Sequence, residues 1–213
     1  DNFKIINKER ENIKIVACDG ALSTLKKNNC APDIIVSVDG AQIISKFYKN
    51  SKELLKNTTV ILATSIHPDV VEQCIEGEAK IKWVQSFFNC NSHKEYFRKG
   101  IPSIKMGGNV GTASYLITSL VLKAKHVGLM GIEFAWSDET PYSNTQYYDK
   151  LMNVLDKKHD AVQNHFIHIK NQRDGKIYMA DPVYYAYFLM LKEIWEELPL
   201  EIKQNTYNLT KAG

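Results

Sequence analysis

Hydrophobic positions along this chain gather into short β-branched runs, and stretches with helical spacing separate them. The runs "IKIVAC" (13–18), "DIIVSV" (33–38), "TVILAT" (59–64), "IKWVQ" (81–85) and "HVGLMGI" (126–132) each predict a strand. Between them the spacing predicts helices over 21–29, 41–48 and 68–75, and a long apolar helix over 113–123. A strand with one wet face alternates apolar and polar residues, whereas these runs are apolar on both faces. They belong to a sheet covered by helices on each side. The class is therefore α/β, Rossmann-like, with a mostly parallel, doubly wound sheet.

The C-terminal third changes period. "HFIHIK" and "KIYMA" flank "NQRDG", whose Asp174-Gly175 is a hairpin turn signal, so an antiparallel ribbon is expected over 165–180. Pro182 then opens the helical run "VYYAYFLMLKEIWEEL", which Pro199 ends. One domain over 1–213 is expected, with the hairpin and helix as its extension.

Composition narrows the function classes. The 213 residues are 44% hydrophobic, with 27 Lys and Arg against 24 Asp and Glu, a net charge of +3. No run of five or six like charges appears, so a small anionic molecule suits the chain better than nucleic acid, which asks for a concentrated basic face. Cys18, Cys30, Cys74 and Cys90 lack C-x-x-C spacing and read as reduced thiols rather than a zinc site or a disulfide framework. The opening "DNFKIINKERENIK" is charged and lacks the apolar core of a signal peptide. The longest apolar-rich run, 115–122, falls far short of the roughly 20 residues of a membrane span. A soluble, cytoplasmic protein without a membrane partner is expected, and association into a homo-oligomer stays open.

In an open α/β sheet, ligands bind beyond the carboxyl ends of the strands. Two acids share that setting, Asp19 in "ACDGA" and Asp39 in "SVDGA", each followed by a glycine, Gly20 or Gly40, and a helix start. A carboxylate there either holds Mg²⁺ or a ribose hydroxyl, or caps the helix that follows. In "MGGNVGT", Gly107, Gly108 and Gly111 allow close backbone approach, and Asn109 or Thr112 could add a side-chain contact to a phosphate or carboxylate at the helix start. The loop is neither a P-loop nor G-x-G-x-x-G, and a tight turn beneath a closely packed helix is the alternative. His67 in "TSIHPD" is either an acid or base or a plain turn residue. Glu133 follows the fifth predicted strand. Beyond it, Trp136, Tyr142, Tyr147 and Tyr148 either offer flat faces to a base, pterin or sugar, or pack inward. His165 and His168 read as structural.

The stretches "VACDGALSTLKKNNCAPDIIVSVDG" and "GGNVGTASYLITSLVLKAKHVGLMGIEFAW" resemble the 6-hydroxymethylpterin diphosphokinase MptE-like (DUF115) family. Motility-accessory-factor glycosyltransferases are similar in the same domain. The resemblance implies a Rossmann-like fold and a nucleotide-bearing substrate. For the diphosphokinase it implies diphosphate transfer from ATP to a pterin alcohol or similar acceptor, with Mg²⁺ offsetting phosphate charge. On that reading Asp39 and Asp19 hold the metal or ribose, and Gly20, Gly107, Gly108, Asn109, Gly111 and Thr112 contact the nucleotide. Asp39, Glu133 and His67 are then the catalytic candidates.

Three departures stand against it. Ser37 occupies the first position where the family's pattern has Asp-x-Asp-Gly, Glu133 stands for the aspartate of G-x-D-F, and a Gly-x-Gly-Pro-Ser-Leu turn at the first strand is absent from this chain. A sugar-nucleotide-dependent glycosyltransferase and a non-catalytic nucleotide-binding module therefore stay open beside the diphosphokinase.

Overall fold

A computed structural model describes residues 2–86, 98–137, 142–145, 148–154, 164–172 and 174–210. They fall into two compact units, Asp1–Lys125 and His126–Gly213.

The first unit is built on a five-stranded parallel sheet whose strands lie in chain order: β1 (Val16–Cys18), β2 (Ile34–Ser37), β3 (Thr59–Ala63), β4 (Lys80–Ser86) and β5 (Ser103–Ile104). The register sets Val16 beside Ile34, Ile34 beside Thr59 and Thr59 beside Lys80. Helix α1 (Asn2–Lys8) precedes β1, while α2 (Leu22–Lys27), α3 (Ser45–Lys49) and α4 (Pro68–Glu76) return the chain between strands. Helix α5 (Val110–Leu116) follows β5.

Successive strand residues point to opposite faces, and both faces are buried. Ile35, Val60 and Leu62 pack with Leu22, Tyr48, Val70 and Cys74. On the other face, Val36, Ile61, Ala63 and Val84 pack with Ala113 and Ile117 of the α5 region. Each fully buried Val, Leu or Ile contributes roughly 1.5–3 kcal/mol, which is how strands this short hold together. The fold is α/β and Rossmann-like, as the two-sided apolar runs predict.

Two elements differ from expectation. The fifth strand of the sheet is Ser103–Ile104, too short to leave a pattern, and it is delivered by a buried amide. Gln85 accepts from the Arg98 N–H at 3.0 Å and donates to the Ile101 carbonyl at 2.7 Å, which brings the chain back alongside β4. The helix predicted over 113–123 begins earlier, at Val110, and gives way to a π-helical turn over Ile117–Val121. Hydroxyls compete there for helix acceptors: Ser114 donates to the Val110 carbonyl and Thr118 to that of Ser114, both at 2.7 Å. The Leu122 N–H then reaches back five residues to Ile117 at 2.9 Å.

The second unit holds β6 (Val127–Leu129), α6 (Tyr148–Val154), an antiparallel hairpin of β7 (Ile167–Lys170) and β8 (Ile177–Ala180), α7 (Pro182–Glu197), α8 (Leu200–Gln204) and β9 (Thr206–Asn208). The hairpin and the helix after it form where predicted. Gly175 takes φ 72° in the turn, and Asp181 caps α7 by accepting from the Val183 N–H at 2.8 Å. The run expected as a strand of the main sheet is instead β6, parallel to β9. Gly128 lets the two approach, since a Cβ there would meet the Leu209 side chain at 2.6 Å. Among the described residues no helix is long and apolar enough to cross a membrane.

One polar knot ties the start of β1 to the start of β2. Asp33 accepts from the Ile15 N–H at 2.8 Å and from Lys14 Nζ at 3.0 Å, and the Arg10 guanidinium lies 2.8 Å away. Burial pushes this carboxyl up, but the Ile15 amide, Lys14 and Arg10 together outweigh it and hold it below the usual carboxylate value. A depressed acid stabilises the fold above its unfolded pKa, about 3.9, and loses that stabilisation as pH falls through the folded value. Asp33→Asn should therefore lower unfolding free energy by about 1–2 kcal/mol at neutral pH, with the gap to wild type closing in acid, as measured by urea unfolding.

Candidate functional site

Parallel pairing sets the carboxyl ends of β1 to β5 along one edge of the sheet. Asp19 and Gly20 follow β1, Asp39 and Gly40 follow β2, Ser65 and His67 follow β3, and Gly107 and Gly108 follow β5. The edge residues expected from the first unit are thus brought together there.

The two acids in matching sequence settings have different surroundings. Asp19 is 4% exposed. Its Oδ2 accepts from Ser37 Oγ at 2.5 Å and its Oδ1 from the Gly20 N–H at 2.7 Å. Burial pushes the carboxyl up, Ser37 and Gly20 oppose the rise, and the charge of Asp39 adds to it. The buried Tyr48 hydroxyl sits beside Ser37 without hydrogen-bonding geometry, and burial pushes this phenol well above its usual value.

Asp39 is exposed, and its Oδ1 accepts from the Ala41 N–H at 2.9 Å. One oxygen therefore caps the turn that follows, and the other is left for the rim. The turn itself is stitched to the end of β3. Ser65 Oγ donates to the Val38 carbonyl at 3.1 Å, and a Cβ on Gly40 would lie 2.6 Å from the Ser65 carbonyl oxygen.

The glycine loop carries the chain from β5, at one side of the sheet, to α5, which packs against β1 and β2 at the other. Gly107 and Gly108 take φ of 61° and 78°, a left-handed pair that a side chain would strain. Gly111 lies inside α5 and has no such need. Asn109 caps α5: its Oδ1 accepts from the Thr112 N–H at 2.9 Å, and its Nδ2 donates to Thr112 Oγ1 at 3.0 Å and to the Gly107 carbonyl at 3.2 Å. Thr112 is fully buried, so the side chains of Asn109 and Thr112 are spent on holding the loop, while Gly108 is exposed. Cys18 Sγ and Ser114 Oγ lie 3.5 Å apart, which fixes α5 beside the end of β1.

A sequence profile of the 6-hydroxymethylpterin diphosphokinase MptE-like family matches residues 1–139, more than half of the chain and all of the edge just described. The chain belongs to the MptE-like family. No curated protein sequence matches it. Among solved structures, a MAf glycosyltransferase from Magnetospirillum magneticum AMB-1 is similar at a TM-score of 0.64 and 14% identity, over 98% of this chain and 31% of that one. The likeness is one of fold. This chain spans less than a third of that protein's length.

Within the MptE-like edge, His67 is the N-cap of α4, its Nδ1 accepting from the Asp69 N–H at 3.2 Å. Gln42 Nε2 donates to Asp69 Oδ2 at 3.1 Å and links the loops after β2 and β3. Glu133 is exposed and belongs to the second unit. In that unit the aromatic side chains pack on one another: Trp136 meets Tyr142 edge-on at 4.8 Å, and Tyr142 meets Phe166 at 4.9 Å. Tyr148 begins α6 and joins this cluster, while Tyr147 lies outside the described residues. His165 pairs with Asp181 at 2.9 Å, and His168 is an exposed residue of β7. Cys18, Cys30 and Cys74 are free thiols, and burial pushes Cys74 up to about 12; Cys90 lies outside the described residues.

Among the described residues no group of three or more His, Cys, Asp and Glu side chains could hold a metal ion. Asp19 has both oxygens committed and is out of water. Asp39 keeps one oxygen at the rim, which fits a Mg²⁺ ion that retains its waters and takes most of its ligands from substrate phosphates, or a ribose hydroxyl. Sequence reasoning passed over the part Ser37 plays. The signal was there, because a hydroxyl inside an apolar two-faced strand must find a buried partner.

Three substitutions test this geometry by thermal or urea unfolding. Gly40→Ala should cost about 1–3 kcal/mol by driving a methyl into the Ser65 carbonyl. Gly20→Ala should stay within about 0.5 kcal/mol, since nothing lies within 4 Å of the added carbon. Tyr48→Phe should raise stability by about 1 kcal/mol by removing a buried hydroxyl without a partner, and a comparable loss would mean that the hydroxyl is bonded after all.

Proposed function

We propose that the chain is a nucleotide-dependent transferase domain whose donor is a nucleotide-activated sugar. The observation that carries this reading is the pairing, on one sheet edge, of a left-handed glycine turn with the exposed carboxylate of Asp39, its counterpart Asp19 being buried. The Gly107-Gly108 turn and the start of α5 present backbone N–H groups suited to phosphate, and Asp39 ends the second strand, where a carboxylate takes a ribose hydroxyl. Diphosphoryl transfer from ATP exposes more negative charge and leans on metal ions held by protein carboxylates. Asp19, the second carboxylate expected for that task, is spent on Ser37 and Gly20. The likeness to a MAf glycosyltransferase over almost the whole chain is in keeping with this choice.

The second reading is ATP-dependent diphosphoryl transfer to a pterin alcohol or a similar acceptor. The family profile over 1–139 favours it, and Asp39 with nucleotide-borne Mg²⁺ would serve it.

A thermal-shift series separates the two. CMP- and UDP-linked sugars should stabilise the protein in the presence of a chelator, and Asp39→Asn should weaken that binding about tenfold, the loss of one charged hydrogen bond. Stabilisation by a non-hydrolysable ATP analogue that requires Mg²⁺, with no response to the sugar nucleotides, would select the diphosphokinase reading. No response to any nucleotide would overturn both.

A further inference from the structure

The turn over residues 37–41 is fixed at almost every position. Ser37, fully buried, donates to Asp19; the Val38 carbonyl accepts from Ser65; Asp39 accepts from Ala41; and Gly40 lies against the Ser65 carbonyl. Of these ties, the one through Asp19 costs the fold most, because a carboxylate out of water is stabilised only by the hydrogen bonds it accepts. It accepts two, from Gly20 and Ser37, and it lies near the buried Tyr48 of α3.

We propose that Asp19 is a positioning residue that acts through Ser37 to hold the Asp39 turn, and that it does not touch the ligand. The inference rests on the reading of Asp39 as the rim carboxylate. Its physical content is a division of labour: one aspartate binds and the other orients. The nearness of the two acids agrees with this, since the charge of Asp39 pushes the Asp19 carboxyl in the same direction as burial does.

The positioning role and a direct ligand role part at Asp19→Asn. An asparagine can still accept from the Gly20 N–H through its oxygen and donate to Ser37 Oγ through its amide, so the brace survives while the charge is lost. A ligand to a metal or a ribose would not survive that change. The experiment measures CMP binding by calorimetry and amide hydrogen exchange by NMR in Asp19→Asn, Asp19→Ala, Ser37→Ala and Asp39→Asn. The Ala41 amide reports the turn, and the Ile61 amide in the core is the control.

Expected are CMP affinity within about twofold of wild type for Asp19→Asn, and a loss of about tenfold for Asp19→Ala and Ser37→Ala, with Ala41 exchange faster by about tenfold in the last two and Ile61 unchanged. If an alanine variant does not fold, Asp19→Asn decides alone: a loss of CMP binding as large as that of Asp39→Asn, with Ala41 still protected, overturns the proposal. Unchanged Ala41 exchange in folded Ser37→Ala or Asp19→Ala also overturns it. If Asp39→Asn binds CMP like wild type, the reading of Asp39 fails, and the brace is then judged by the Ala41 amide alone.

Discussion

Parallel pairing is the constraint from which the rest follows. Once β1 to β5 run the same way, every strand ends at one edge, and every connection must cross back over a face of the sheet. Those crossings bury both faces, so strands of two to seven residues suffice. They also leave the carboxyl edge as the place where loops meet without having to be packed. Asp19, Asp39, Ser65, His67 and the Gly107-Gly108 turn are gathered there by topology before any specific contact is made.

Packing then decides what each edge residue can do. Asp19 and Asp39 occupy nearly identical local sequences, yet Asp19 turns to Ser37 on the sheet face that carries Tyr48 of α3 and is out of water. Asp39, at the end of β2, stays exposed. A buried carboxylate and an exposed one differ by the full cost of desolvation, which hydrogen bonds must offset. Local sequence cannot distinguish them, because the difference is made by Ser37 of the next strand and Tyr48 of the helix after it, which meet Asp19 only in the fold.

Much of the first unit was legible for the same physical reason that it folds. Two-sided apolar runs announce covered strands, and four of the five pattern-based strands lie in the sheet as predicted. The hairpin announced itself through Asp174-Gly175, and α7 through Pro182 and Pro199. What could not be read was either too short or decided elsewhere. Ser103–Ile104 is a strand of two residues with no period to detect. The run around Val127 has the composition of a sheet strand, but its partner β9 lies near the end of the chain, and strand composition names no partner. At the edge, residue types were legible and roles were not: Asn109 and Thr112 were obvious polar candidates, and their side chains turn out to bond to each other and to the loop.

The serine at position 37 gains a different meaning from this geometry. Measured against the family's Asp-x-Asp-Gly pattern it is a lost carboxylate, and with it a lost metal ligand. In the fold, residue 37 is fully buried and points at Asp19. An aspartate there would set two carboxyls against each other out of water. Like charges at such a distance cannot both ionise, so one would have to carry a proton. A hydroxyl removes the conflict: it donates to Asp19, needs no counter-charge and leaves Asp39 as the acid that faces solvent. The serine and the burial of Asp19 are therefore one feature, and of the two acids in matching settings only Asp39 keeps an oxygen in water.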